Sequence, residues 1–385
     1  MCICIRKYSF MGFFDFLKNK SRLKPSDVLR KLSVELKGLR GEVGKQSCLS
    51  ISDEECNELE NYLAAACSGT TANVYVKKQP KNEEVDKCLT MAGSTEIMLH
   101  IAQKIAFLTA ETRRIVSAIW GYLLKMEHPK SFQRPMVEYL LKNPEAVNAL
   151  FGSYGRNTNG IDVIIGVMIR DATRFQKVIE HVFKRKLVLA LFPVLTSANF
   201  DVSSDAFQTL KEILVNHKDV SAPWLSQNFD IFFDEYMRLV ENASADEYVT
   251  VRQSLGILSS ILLDRQFMDV MIQFVNKEEF LKPILILMNN KSKVVQFEAF
   301  HIFKIFAANP NKTPNIMRIL IQNHDRIMKI LDHIEKDRSE DVEFTQDKAA
   351  VVRKLISLKE KIERGSGAAS SRKASSHSSE LGDPK

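Results

Sequence analysis

Glycine and proline are scarce in this chain, with 15 and 11 of them among 385 residues. Folds built from many short strands, and doubly wound sheets, need turn residues every few positions, so the scarcity argues for helices. Cysteine is missing from the last three quarters of the chain. All six (Cys2, Cys4, Cys48, Cys56, Cys67 and Cys88) lie near the start, none forms a CxxC pair, and no Cys/His set has zinc spacing. Free thiols in a reducing compartment are the expectation, which makes the protein cytoplasmic. No stretch reaches the roughly 18 uninterrupted apolar residues of a membrane span. The opening MCICIRKYSFMGFFDFLKNK is apolar and basic, but Arg6 and Lys7 interrupt it and no small-residue cleavage site follows, so it does not read as a signal peptide. Met11 is an alternative start.

The groups that chemistry requires are missing as well. Neither GxxxxGK[ST] nor GxGxxG occurs, and there is no HExxH, GxSxG or calcium-loop pattern. The stretch GSYGRNTNG (152–160) has three glycines but no strand before it, and reads as a turn between helices. His217 and His301 sit on or beside apolar helical patterns, where a hydrogen-bonded structural histidine is the ordinary reading. The net charge of +7 is mild and much of the excess lies near the ends. No basic block with interleaved aromatics marks a nucleic-acid surface. The expectation is a protein that is not an enzyme, with no cofactor and no metal.

What is present is helical periodicity. From about Lys24 to Ile362 apolar residues recur at three- and four-residue spacing, and no long tract alternates apolar with polar. The chain divides into an N-terminal extension (1–23, expected to be poorly ordered), a helical-repeat scaffold (24–362) and a Ser-rich tail (363–385) that has lost its apolar residues and is expected to be disordered. The stretch from Cys67 to Asp86 reads as a loop. The tail segment RKASS (372–376) matches a basophilic-kinase site.

Three segments superpose: SSDAFQTLKEIL (203–214), TVRQSLGILSSIL (250–262) and VVQFEAFHIFKIF (294–306). Phe207, Leu255 and Phe300 fall in register, followed by Leu210, Leu258 and Phe303, then by Ile213, Ile261 and Phe306. A weaker copy, IIGVMIRDA (164–172), lies about one period earlier. The period is near the ~40–47 residues of HEAT and armadillo units. A helical hairpin cannot bury its own apolar face, so such units stack and share a core. The fold class is therefore an all-α, armadillo/HEAT-like α-solenoid. Ser203 or Ser204 is the expected N-cap of the helix carrying Phe207, and Thr313, followed by Pro314, that of the helix after AANPNKTPN.

The stretches FDVSSDAF (200–207), YVTVRQSL (248–255), ILLDR (261–265) and VQFEAFHIFKIFAANPNKT (295–313) resemble signature segments of the calcium-binding protein 39 family, also called mouse protein 25 or Hym1-like. The resemblance is strong from about Phe200 to Leu331 and weaker through ETRRIVSAIWGYLL (111–124) and GVMIRDA (166–172). It implies a helical-repeat scaffold that binds the pseudokinase STRAD and kinases of the sterile-20 class and holds them in an active, closed conformation, in polarity and cytokinesis signalling. Two surfaces are implied. A pocket taking a partner's C-terminal Trp-Glu-Phe tail would use Arg252 of YVTVRQSL, Lys282, and Leu285 where the family has Met. A concave face cradling the kinase would use Arg265 of ILLDR, with Met268 at the family's aromatic position and Phe267 beside it. The competing reading is an armadillo/HEAT adaptor that carries a basic peptide and is unrelated to kinases. Regularly spaced Asn, Trp and acidic residues would mark such a groove, and Trp120 and Trp224 are the only tryptophans.

Overall fold

A computed structural model describes residues 23–40, 47, 49–68, 81–156, 160–242, 248–336 and 342–377. The side chains of 68, 242, 335, 336 and 362–377 are outside that description. The expected N-terminal extension falls almost wholly outside it as well.

The described chain is all-α, and no strand occurs in it beyond one isolated bridge between Ser47 and Leu108. It divides into two compact units, residues 1–181 and 182–385. The helices are α1 (Pro25–Gly38), α2 (Asp53–Ser68), α3 (Asn82–Ser94), α4 (Ile97–Lys104), α5 (Ala110–Lys125), α6 (Pro135–Lys142), α7 (Glu145–Ser153), α8 (Ile161–Thr173) and α9 (Gln176–Lys184). There follow α10 (Phe192–Leu195), α11 (Phe200–Val215), α12 (Lys218–Gln227), α13 (Phe229–Asn242), α14 (Tyr248–Leu262) and α15 (Met268–Val275). The last are α16 (Glu278–Leu287), α17 (Lys293–Ala308), α18 (Pro314–Gln322), α19 (His324–Lys336) and α20 (Val342–His377).

In the first unit Leu29, Leu32 and Leu36 form the buried stripe of α1, at the three-to-four spacing of one helix face. Helix α5 packs between α2 and α8. Its start is capped by Thr109, whose hydroxyl accepts from the Thr112 amide at 3.3 Å. Its buried Trp120 donates Nε1–H to the Met168 carbonyl of α8 at 3.1 Å. Arg113 is buried, its guanidinium donating to the carbonyls of Ile105 (3.2 Å) and Leu108 (2.6 Å).

In the second unit α11, α14, α17 and α20 pack successively. The residues predicted to share a register meet there. Phe207, Leu255 and Phe300 are buried, as are Leu210, Leu258, Phe303, Ile213, Ile261 and Phe306. The repeats are joined by rings, with Phe233, Phe274 and Phe306 linked at centroid distances of 5.6 and 5.7 Å. Polar bonds spanning one period add to this. Gln273 donates to Ser226 Oγ at 2.9 Å, Lys277 to Asp230 at 2.8 Å, and Lys218 pairs with Asp264. Each repeat thus meets the next through both apolar and polar contacts.

Three local expectations are corrected. Helix α11 starts at Phe200 and is capped by Asn199, whose side chain accepts from the amides of Asp201 (3.0 Å) and Val202 (3.4 Å). Ser203 lies inside the helix and donates instead to the Leu195 carbonyl at 2.7 Å. Gly152 is helical, because α7 runs to Ser153, and the turn begins after it. The helices flanking the long loop reach further in than expected, to Ser68 and from Asn82. Thr313 does cap α18, with Pro314 in its first turn. Helix α20 continues to His377, past the boundary expected at 362.

Candidate partner-binding grooves

Lys282 lies on α16 and is exposed, lining a groove of about 680 Å³. The walls are the end of α13 (Val240, Glu241), the start of α14 (Tyr248, Val251) and α16 (Glu279, Lys282, Ile286). Pro283, inside α16, has no N–H to donate to the Glu279 carbonyl, so the helix is weakened where it borders the groove. Leu281, Ile284 and Met288 form the buried face of this helix. Ile286 falls on the other side and is 71% exposed, an apolar side chain held in water beside a cation.

Arg252 opens into a different groove, of about 780 Å³, between α11 (Ser204, Gln208, Lys211) and α14 (Gln253, Gly256, Ser260). The two grooves flank the N-terminal turns of α14, with Tyr248 and Val251 on one side and Arg252 on the other. Leu285 is half-buried and lines neither groove.

Arg265 and Met268 come together. They line a third groove, of about 350 Å³, with Leu263 and Met271 on one wall and Ala350, Val351 and Lys354 of α20 on the other. Both are exposed, and Met268 is joined by exposed Leu263. Phe267 is not available there, because it is buried in the core. The cause is a short 3₁₀ turn over Arg265–Phe267 that re-phases the chain after α14. Asp264 anchors that turn by accepting from the Gln266 amide at 2.9 Å. The hydrogen bond from Lys218, reinforced by that amide, holds the Asp264 carboxyl below the usual carboxylate range.

The family model for Mo25-like proteins matches residues 14–359. This chain belongs to the Mo25-like family. It is 29% identical to the human "Calcium-binding protein 39-like" over 89% of this chain and 97% of that protein. It is 31% identical to the "Mo25-like protein" of Schizosaccharomyces pombe over 89% of this chain and 99% of that one. The "Conidiophore development protein hymA" of Emericella nidulans is 30% identical over 92% of this chain and 95% of its own. Among solved structures a designed armadillo repeat protein aligns with a TM-score of 0.41 at 12% identity, over 67% of this chain and 99% of that one.

In this Mo25-like chain four of the six residues named from the sequence line three separate grooves. Lys282 is in one groove, Arg252 in the next, and Arg265 with Met268 in the third. The residue that sequence reasoning missed is Ile286. Its signal was present: in the run ILIL (284–287) only one position falls opposite Leu281, Ile284 and Met288 on a helical wheel. Burial pushes the thiols of Cys56 and Cys88 up to about 12 and that of Cys67 up to about 11, which disfavours the reactive thiolate at all three. Among the described residues no group of three His, Cys, Asp or Glu is placed to hold a metal ion. No described helix is long and apolar enough to cross a membrane.

Proposed function

We propose that this chain is a non-catalytic cytoplasmic scaffold that binds a kinase or pseudokinase of the sterile-20 class, stabilises its active conformation and acts in polarity or cytokinesis signalling. Membership of the Mo25-like family supports the class of function. The observation that carries the docking mode is the groove where exposed Ile286 stands beside Lys282. A tail ending in Trp-Glu-Phe suits that chemistry. Its rings bury large apolar areas and dominate the binding energy, while its carboxylates require a cation that a flexible ammonium supplies. Arg252, one groove away, reaches a carboxylate only if the tail crosses the first turns of α14. The Arg265–Met268 groove supplies a second, separate contact for the kinase fold. The free thiols of Cys56, Cys67 and Cys88 support a reducing compartment.

Isothermal titration of the full chain with a peptide ending in Trp-Glu-Phe, and with a sterile-20-class kinase domain, tests both contacts. Peptide binding that Lys282→Ala and Ile286→Asp weaken is the expected result. Arg265→Ala is expected to weaken the kinase domain alone. Absence of binding by either ligand to the parent chain overturns the reading.

A further inference from the structure

A larger groove lies one repeat before the one that holds Lys282. It has a volume of about 1010 Å³ and is framed by α10 and the connection after it, by the starts of α11 and α14, and by α13. Most residues of the Lys282 groove have an equivalent 48 positions earlier that lines this one. Phe192 stands for Val240, Phe200 for Tyr248 and Leu239 for Leu287, so the apolar frame is kept.

The charged positions are not kept. Asp234 takes the place of Lys282, Arg238 that of Ile286, and Ile231 that of Glu279. Phe200, the first residue of α11, is 61% exposed and is positioned by the Asn199 cap. Ile231 on α13 is 50% exposed. An aromatic and a branched aliphatic side chain thus share one concavity, where they offer apolar surface that a partner's ring can cover. Three charges line it. Glu235 is paired with Arg238 at 2.5 Å, which leaves Asp234 to set the sign. Nearby, Lys277 feels Asp234 but is bonded to Asp230 at 2.8 Å, so those two offset each other.

We infer that this groove is a second peptide-binding site, one that prefers a cationic segment because Asp234 stands where the other groove has Lys282. Its occupant is a linear segment of a partner protein that carries an aromatic or large aliphatic side chain next to an arginine or lysine. The aromatic group covers Phe200 and Ile231, and the cation fixes the register by a charge-assisted hydrogen bond to Asp234. The inference stands on the repeat geometry and does not depend on the kinase-scaffold reading.

Fluorescence anisotropy of the full chain with a labelled Ala-Ala-Trp-Arg-Phe-Arg-Ala-Ala peptide, and with a control in which glutamine replaces both arginines, tests it. The arginine peptide should bind at least about tenfold more tightly than the control, a difference of about 1.4 kcal/mol. Asp234→Lys should remove that preference, and Phe200→Ser should weaken both peptides. Both positions are exposed, so neither change threatens the fold. Lys282→Glu, in the other groove, should leave the arginine peptide's affinity unchanged or raised. No binding up to millimolar peptide overturns the inference, as does binding indifferent to both Asp234→Lys and Phe200→Ser. So does loss of binding in Lys282→Glu. A concentration-dependent dimer in light scattering that Phe200→Ser abolishes would assign the groove to a second copy of the chain and overturn it too.

Discussion

The phenol of Tyr236 on α13 donates to the carbonyl of Ser254 on α14 at 2.7 Å, and its ring is fully buried. The bond ties two helices of one repeat across an otherwise apolar contact, and Phe232 stacks on the same ring at 5.6 Å. Tyr236→Phe keeps the packing and removes one buried hydrogen bond. The loss should be about 1–1.5 kcal/mol in urea unfolding of the full chain. Burial also raises the pKa of this phenol above the tyrosine range. Its contribution is therefore present below about pH 10 and is lost as pH rises towards the folded value, because the unfolded phenol ionises first. A Tyr236→Phe variant as stable as its parent at pH 7 would show that the bond contributes nothing net.

Phe267 and Met268 are adjacent yet should behave in opposite ways. Phe267→Ala empties a core position and should cost about 3–5 kcal/mol. Met268→Ala removes a side chain that is 46% exposed, and should change stability by less than about 0.5 kcal/mol. If the third groove contacts a kinase, Met268→Ala also lowers that affinity severalfold. Thermal melting of both variants checks the first pair of statements without any partner.

How far these places could be read from the sequence differs from one to the next. The register of Phe207, Leu255 and Phe300 was legible because helical period and residue type repeat together, and all three are buried. The Asn199 cap was not, because asparagine and serines stand within a few positions of one another and local chemistry does not choose between them. Phe267 could not be told from Met268 because the 3₁₀ turn re-phases the chain between two helices. That Arg252 and Lys282 open into separate grooves depends on where α14 sits between α11 and α16, a tertiary fact with no local signature. The change of sign at one equivalent position, Asp234 against Lys282, becomes visible only once the repeat is superposed on the fold.

His100, on α4, gives the first unit a pH dependence. It is buried, and its Nδ1 lies 3.3 Å from Ser33 Oγ, whose own hydrogen goes to the Thr95 carbonyl at 2.8 Å. Nδ1 must then carry the hydrogen and donate to Ser33. Burial lowers the pKa of this imidazole, partly opposed by Glu96 and assisted by Lys37 and Lys104. In the unfolded chain His100 takes up a proton near pH 6.5, before the folded protein does. The stability it contributes is present above pH 6.5 and lost as pH falls towards the folded value. Glu60, whose pKa burial raises, acts with the opposite sign near pH 4.5. Melting curves between pH 8 and 5.5 should fall, and His100→Asn should flatten that fall. An unchanged slope in the variant would assign the pH dependence elsewhere.

The Trp-Glu-Phe peptide should distinguish the two grooves beside α14. Lys282→Ala removes the cation that faces Ile286 and should lower affinity by about ten- to a hundredfold, the range for a hydrogen bond to a charged group. Ile286→Asp should do more, since it sets a carboxylate against both rings and the peptide's own acid. Arg252→Ala is the informative variant. A loss comparable to that of Lys282→Ala would mean that the peptide spans α14, and no loss would confine it to the Lys282 groove. Both outcomes are read in the same titration against the parent chain.

Truncation should separate the part of α20 that holds the second unit together from the part that does not. Phe344 is buried, its ring 4.9 Å from that of Phe300 and 5.7 Å from that of Phe297. Val351 and Leu355 continue the buried stripe, and Lys304 pairs with Asp347 across to α17. Beyond Ile362 the sequence has alanine, serine and basic residues and no large apolar side chain until Leu381. A chain ending at Arg364 should therefore melt within a degree or two of the parent, because it keeps every buried contact of the helix among the described side chains. Phe344→Ala in the full chain should instead cost about 3–5 kcal/mol, since the cavity would open onto the Phe300 layer of the core. A chain ending at Val342 should lose at least as much and expose Phe297 and Phe300, which binding of a hydrophobic dye would report. If the chain ending at Arg364 melts as low as Phe344→Ala, then residues 365–385 pack on the scaffold and the Ser-rich segment is part of the fold.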